Sequence, residues 1–157
     1  MRGPDDLARA CAEAMWRDDR ASQALGMTLE AIAPGLARLA MTIRPDMVNG
    51  HGTCHGGFIF TLADSAFAFA CNSRNRRAVA QHCFVTFLRP VRLGQVLIAE
   101  AVERVLSGRN GIYDVTVRGD EGLAVAEFRG HSRLLGDPFF PEEEGHHGAC
   151  PDPRLHG

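Results

Sequence analysis

Residues 55–64 read HGGFIFTLAD, and the apolar run resumes as SAFAFAC to Cys71. A single carboxylate, Asp64, stands in the middle of it. An ionised carboxylate in apolar surroundings is costly unless it is paired or hydrogen-bonded. Three roles would answer that cost: a place on an exposed strip or local cap, an ion pair with one of the arginines, or a place in an active site where its reactivity is used. Phenylalanine and alanine on every face of a helix through this stretch shift the balance towards the third. The glycines supply a second part. A helix that begins at His55–Gly57 points unpaired backbone N–H groups, at the positive end of the helix dipole, towards whatever lies before it. Glycine also lets a ligand approach closely. That is the chemistry of an oxyanion hole, although Gly56 and Gly57 taken alone read better as a plain glycine-rich helix entry.

Together the acid and the glycines fit acyl transfer. A thioester is the acyl bond that asks least of such a site, because its thiolate leaving group has a conjugate acid of pKa about 8.5. The chain has no G-x-S-x-G nucleophile elbow. Geometry adds a constraint: at about 1.5 Å per residue, Gly56 and Asp64 lie roughly 12 Å apart along one helix. They cannot both reach one carbonyl from the same chain. Two antiparallel helices from two chains would set Asp64 of one against Gly56 of the other, giving two equivalent sites in a symmetric dimer.

The elements that must position these residues follow from periodicity. Residues 5–19 predict an amphipathic helix, capped by Asp5 or Asp6, with Leu7, Cys11 and Met15 on one face. MTLEAIA and LARLAMTI flank the turn Pro34–Gly35 and read as strands. The central segment from about His55 to Cys71 has helical length and is apolar nearly all round, which calls for cover on all sides. VAQHCFVTFLRP, QVLIAEAVERVL, GIYDVTVRG and LAVAEFRGHSRLL are strand-length or longer runs with short connections, so antiparallel hairpins are expected. The order is helix, two strands, buried helix, then four strands. That predicts an α+β domain over 1–136, with one helix wrapped by a curved antiparallel sheet and a second chain supplying the remaining cover. Residues 137–157, rich in Pro, Gly and charge, are expected to be a flexible tail.

Composition narrows the function further. The chain has 157 residues and a net charge of -2, without the basic footprint of a nucleic-acid binder. All 17 basic residues are arginine, which removes Schiff-base and phosphate-loop lysines. Phe58–Cys71 is shorter than the about 20 residues of a membrane span. The first residues, MRGPDDLARACAEAM, show no secretory pattern, and the five cysteines have no C-x-x-C spacing, so a cytoplasmic protein with reduced thiols is expected.

At VNGHGTCHGGFIFTLADSAFAFACNS (48–73), FLRPVRLG (87–94) and the hairpin GRNGIYDVTV…AEFRGHSRLL, the sequence resembles the hotdog-fold acyl-CoA thioesterases, in particular the bacterial phenylacetate-degradation group. The resemblance covers roughly residues 5–135. It implies a long helix wrapped in an antiparallel sheet, dimers joined sheet edge to sheet edge with active sites at their interface, and homotetramers built from two dimers. It implies that Asp64 is the catalytic carboxylate, as base or nucleophile, and that the Gly56 N–H polarises the thioester carbonyl. Asn49 would position the water or the carbonyl, and His55 would shape the helix entry or hydrogen-bond the thioester. Relatives with a Ser or Thr beyond the next loop use it to orient water; here Ala80 and His82 stand nearby. Aromatic acyl-CoA substrates are implied, with no metal or cofactor.

Further candidates come from the residues themselves. Gly57 and Arg89, with Arg109 and Asn110 in the loop after Gly108, are candidate substrate contacts. Arg74, Arg76 and Arg77 can complement the helix C-terminus or hold CoA phosphates. His51, Cys54 and His55 match no standard zinc spacing, and Cys54 reads as a structural thiol rather than a nucleophile. An acyl-CoA hydratase or dehydratase, and a non-catalytic acyl-CoA binder, are the competing functions.

Overall fold

The computed structural model describes residues 2–141. Helix α1 (Pro4–Asp18) and a short α2 (Arg20–Ala24) lead into strands β1 (Thr28–Ala33) and β2 (Leu36–Thr42). Helix α3 (Gly56–Cys71) follows, then β3 (Ala78–Phe87), β4 (Val96–Ser107), β5 (Asn110–Arg118) and β6 (Ala124–Leu134). The six strands form one antiparallel sheet in the order β1-β2-β4-β5-β6-β3. This is the expected α+β arrangement, with α3 packed along the sheet.

The core comes from period-two alternation in the strands meeting the apolar faces of α3. Leu39, Ala99, Val117 and Ala126 are register partners across four strands and are all fully buried. Against such rows α3 packs Leu62, Ala63, Ala66, Phe67 and Phe69. Burying a side chain such as Phe67 contributes about 1.5–3 kcal/mol. Its ring fits because residue 130 is glycine: a Cβ there would lie 2.8 Å from Phe67 Cζ. The helix is not covered all round. Gly57 is exposed, and Thr61, Asp64, Ser65 and Ala68 are only half-buried. These positions recur at helical spacing and trace one strip along α3.

Several boundaries differ from expectation for local reasons. Helix α1 is capped by Gly3, not by Asp5 or Asp6. Pro4 takes the first helical position, where its missing N–H costs nothing, and the two aspartates sit in the first turn against the dipole. Strand β3 ends at Phe87, because Leu88 and Arg89 both turn their N–H groups to the Val125 carbonyl (2.8 and 3.3 Å). β3 is an edge strand and carries exposed Phe84 (55%) and Phe87 (50%). The start of the expected tail is anchored. The Asn75 side-chain oxygen Oδ1 accepts from the N–H groups of Phe139 (2.9 Å) and Phe140 (3.3 Å), and Arg77 stacks over the Phe139 ring. Residues 142–157 lie outside the described part of the chain.

Candidate active site

The helix entry is fixed by a turn that Asn49 organises. Its side-chain oxygen accepts from the His51 N–H (2.9 Å), the Thr53 N–H (3.3 Å) and the Thr53 hydroxyl (3.3 Å). That leaves the Asn49 amide NH2 as its free donor. The chain then runs into α3 held from both sides: Cys54 N–H donates to the Val91 carbonyl and His55 N–H to the Met47 carbonyl, each at 2.8 Å.

His55 is the N-cap of α3. Its Nδ1 accepts from the Gly57 N–H at 2.9 Å, so in the neutral ring Nε2 carries the proton. The Gly57 N–H is thereby engaged, whereas the Gly56 N–H has no hydrogen-bond partner among the described residues. Gly56, Gly57, His55 and Arg89 line one cavity of about 640 Å³ together with Phe87, Pro90 and Val91. The Arg89 guanidinium donates to the Ala124 carbonyl at the rim.

Asp64 opens elsewhere. It lines a second cavity, of about 600 Å³, with Phe67, Ala68, Cys71, Ala78 and Ala80, and with Met15 and Arg17 from α1. Its carboxylate has no hydrogen bond or ion pair to any described residue, and burial raises its pKa above the ordinary carboxylate range. The linings of the two cavities share no residue. In one chain, then, an unengaged backbone donor and an unengaged carboxylate stand at two separate places along one helix.

Of the two residues flagged beyond the loop after α3, Ala80 reaches the Asp64 cavity. His82 lies on the other face of the sheet against His131. Arg109 and Asn110 form the tip of the β4–β5 hairpin, where Arg133 donates to the Asn110 side chain (3.4 Å), and they line neither cavity. Arg74 pairs with Glu103, and Arg77 donates to the Pro138 carbonyl (3.3 Å), so both make structural contacts. Cys54 is buried with its thiol pKa raised, and Cys71 is pushed up to about 12, which disfavours the nucleophilic thiolate in both. Two contributions escaped the sequence. α1 lines the Asp64 cavity, and Ser22 of α2 hydrogen-bonds Ser65, beside Asp64, at 2.8 Å. Neither has a local signal, because each depends on where a distant segment packs.

Comparison with known proteins places the chain in a family. The thioesterase superfamily model matches residues 51–126. The chain is 42% identical to acyl-coenzyme A thioesterase PaaI of Escherichia coli, over 83% of this chain and 94% of that protein. It is 31% identical to human acyl-coenzyme A thioesterase 13, over 59% of this chain and 69% of that one. The structure of the E. coli PaaI protein from the phenylacetic acid degradation operon superposes with a TM-score of 0.85 at 40% identity, covering 87% of this chain and 99% of that one. A variant of phenylacetic acid degradation protein PaaI from Thermus thermophilus superposes with a TM-score of 0.70 at 44% identity, covering 73% and 97%. On family match, sequence identity and superposed fold, the chain belongs to the thioesterase superfamily, as a hotdog-fold acyl-CoA thioesterase of the PaaI type.

Proposed function

We propose that this thioesterase hydrolyses aromatic acyl-CoA esters, phenylacetyl or ring-hydroxylated phenylacetyl, in the cytoplasm and so frees CoA from dead-end intermediates. Asp64, as base, takes a proton from water. The hydroxide adds to the thioester carbonyl, and the Gly56 N–H stabilises the oxyanion. The C–S bond then breaks, and the CoA thiolate leaves and takes up a proton. As nucleophile, Asp64 would instead form a mixed anhydride that water opens; the products are the same. Asn49 Nδ2 and His55 Nε2 are the further donors to the carbonyl and the thioester. Gly57 and Arg89 border the substrate's path, and Arg109 and Asn110 are outer contacts for CoA.

The observation that carries this reading is the separation of Gly56 and Asp64 into two cavities of one chain. A symmetric dimer brings the halves together. The open edge of β3 and the half-covered strip of α3 are the surfaces such a dimer would use, and pairing of two dimers gives a tetramer. The aromatic preference is supported by the operon of the E. coli relative and by a chamber of about 600 Å³ beside Asp64.

The test is thiol release from phenylacetyl-CoA, hydroxyphenylacetyl-CoA and a fatty acyl-CoA, by wild type and Asp64→Asn. Aromatic turnover that falls by at least about a hundredfold in the variant supports the reading. Thiol release from none of the esters would leave the hydratase or the binder. Undiminished activity of Asp64→Asn would make the acid structural.

A further inference from the structure

Position 56 raises a question that backbone conformation does not answer. Gly56 is not among the glycines with positive φ, so its backbone would accept any residue. Space is the constraint. A Cβ on Gly56 would lie 2.8, 3.1 and 3.2 Å from Cζ, Cε2 and Cε1 of Phe87. The ring therefore packs against the Gly56 Cα, on the residue whose N–H is unengaged. Phe87 is the partner of Ala126 at the end of the inward row Leu39, Ala99, Val117, Ala126. Those four are fully buried, but Phe87 stays 50% exposed and lines the Gly56 cavity. The backbone just beyond it is pinned, since the Leu88 and Arg89 N–H groups both reach the Val125 carbonyl.

We propose that Phe87 is a positioning residue of the thioesterase reaction: its ring packs against the Gly56 Cα, keeps water from one side of the Gly56 N–H, and forms the apolar wall along which the thioester and the adjoining methylenes of the CoA arm lie. The proposal rests on Gly56 being the oxyanion donor. It explains why the donor position excludes a side chain.

The experiment is a double-mutant cycle on phenylacetyl-CoA hydrolysis, reading kcat and KM separately, with assembly checked by light scattering. Gly56→Ala pushes the ring away and displaces the donor, with an expected loss in kcat of about a hundredfold. Phe87→Ala keeps the donor but removes the wall, with an expected loss in kcat/KM of about tenfold, part of it in KM. The double variant has room for the methyl group and is expected at the Phe87→Ala level, about tenfold above Gly56→Ala alone. If Phe87→Ala fails to assemble, Phe87→Leu takes its place in the same cycle. A double variant no better than Gly56→Ala, or full activity in the Phe87 variant, overturns the role of Phe87 and leaves the donor reading intact. Full activity of Gly56→Ala overturns both.

Discussion

The two cavities beside α3 are built on opposite terms. At the helix entry the polar groups are tied down. Asn49 accepts three hydrogen bonds, His55 caps the helix through Gly57, and the Met47 and Val91 carbonyls hold the incoming chain. The Gly56 N–H, without a partner among the described residues, is fixed in direction. Halfway along the helix nothing described holds the Asp64 carboxylate, and burial works against its charge. One half is an unengaged donor on a tied-down backbone, and the other is an unpaired carboxylate whose burial favours protonation. Preorganised dipoles and a poised base are complementary parts of thioester hydrolysis. Neither cavity holds both.

If this contrast is right, the largest effect comes from the acid. Asp64→Asn is expected to cut turnover by at least about a hundredfold while raising the melting temperature at neutral pH. The sign follows from linkage. A carboxylate with a raised pKa in the folded state contributes stability that is fully present below its unfolded value of about 4 and is lost as pH rises through the folded value. The amide has no charge to bury. A calorimetric scan beside the activity assay reads both effects, and a lower melting temperature in the variant would break the contrast.

The pH profile sharpens the same point. Only the ionised carboxylate can act, so kcat/KM is expected to fall on the acid side with a midpoint above about 4, the ordinary carboxylate value. An acid limb at or below that value would mean that Asp64 is not the titrating group. At the rigid end the expected effects are smaller. His55→Ala removes the acceptor of the Gly57 N–H and is expected to cost about 1 kcal/mol of stability in urea unfolding. His55→Asn restores the cap but not the Nε2 donor. Stability is therefore expected to recover, while activity stays about tenfold down.

The smallest effect is expected on the outer face of the sheet. There Asp114 accepts from Arg129 and Arg104, and the Arg129 hydrogen bond leads in holding its carboxyl below the usual range. Asp114→Asn should leave turnover unchanged and cost about 0.5 kcal/mol. The cost is present above the unfolded carboxylate value and vanishes as pH falls through the lowered one. A loss of turnover would place this face in the active assembly.

How much of this the sequence revealed depends on how local each signal is. Strand alternation such as Leu39, Met41 and Leu97, Ala99, and the apolar length of 56–71, encode the α+β order directly. The pairing of Asp64 with a glycine-led helix start is equally local. The His55 cap is half-legible, since a histidine before two glycines marks the entry without saying which N–H it takes. The edge position of β3, the outward turn of His82 and the place of Met15 and Arg17 in the lining of the Asp64 cavity depend on strand order and helix docking. Phe87 was legible only as one more apolar residue in FLRP; its contact with Gly56 exists only once β3 lies beside the helix entry.

The central claim is that the donor and the acid of each site come from different chains. Asp64→Asn and Gly56→Ala, each nearly inactive alone, are tagged differently, coexpressed and purified as mixed assemblies. A mixed dimer then holds one site with both native groups and one with neither. Each mixed dimer is therefore expected to recover about half of wild-type activity per chain, one native site of two. Mixed assemblies as inactive as the parents would place both groups of each site in one chain and contradict the account.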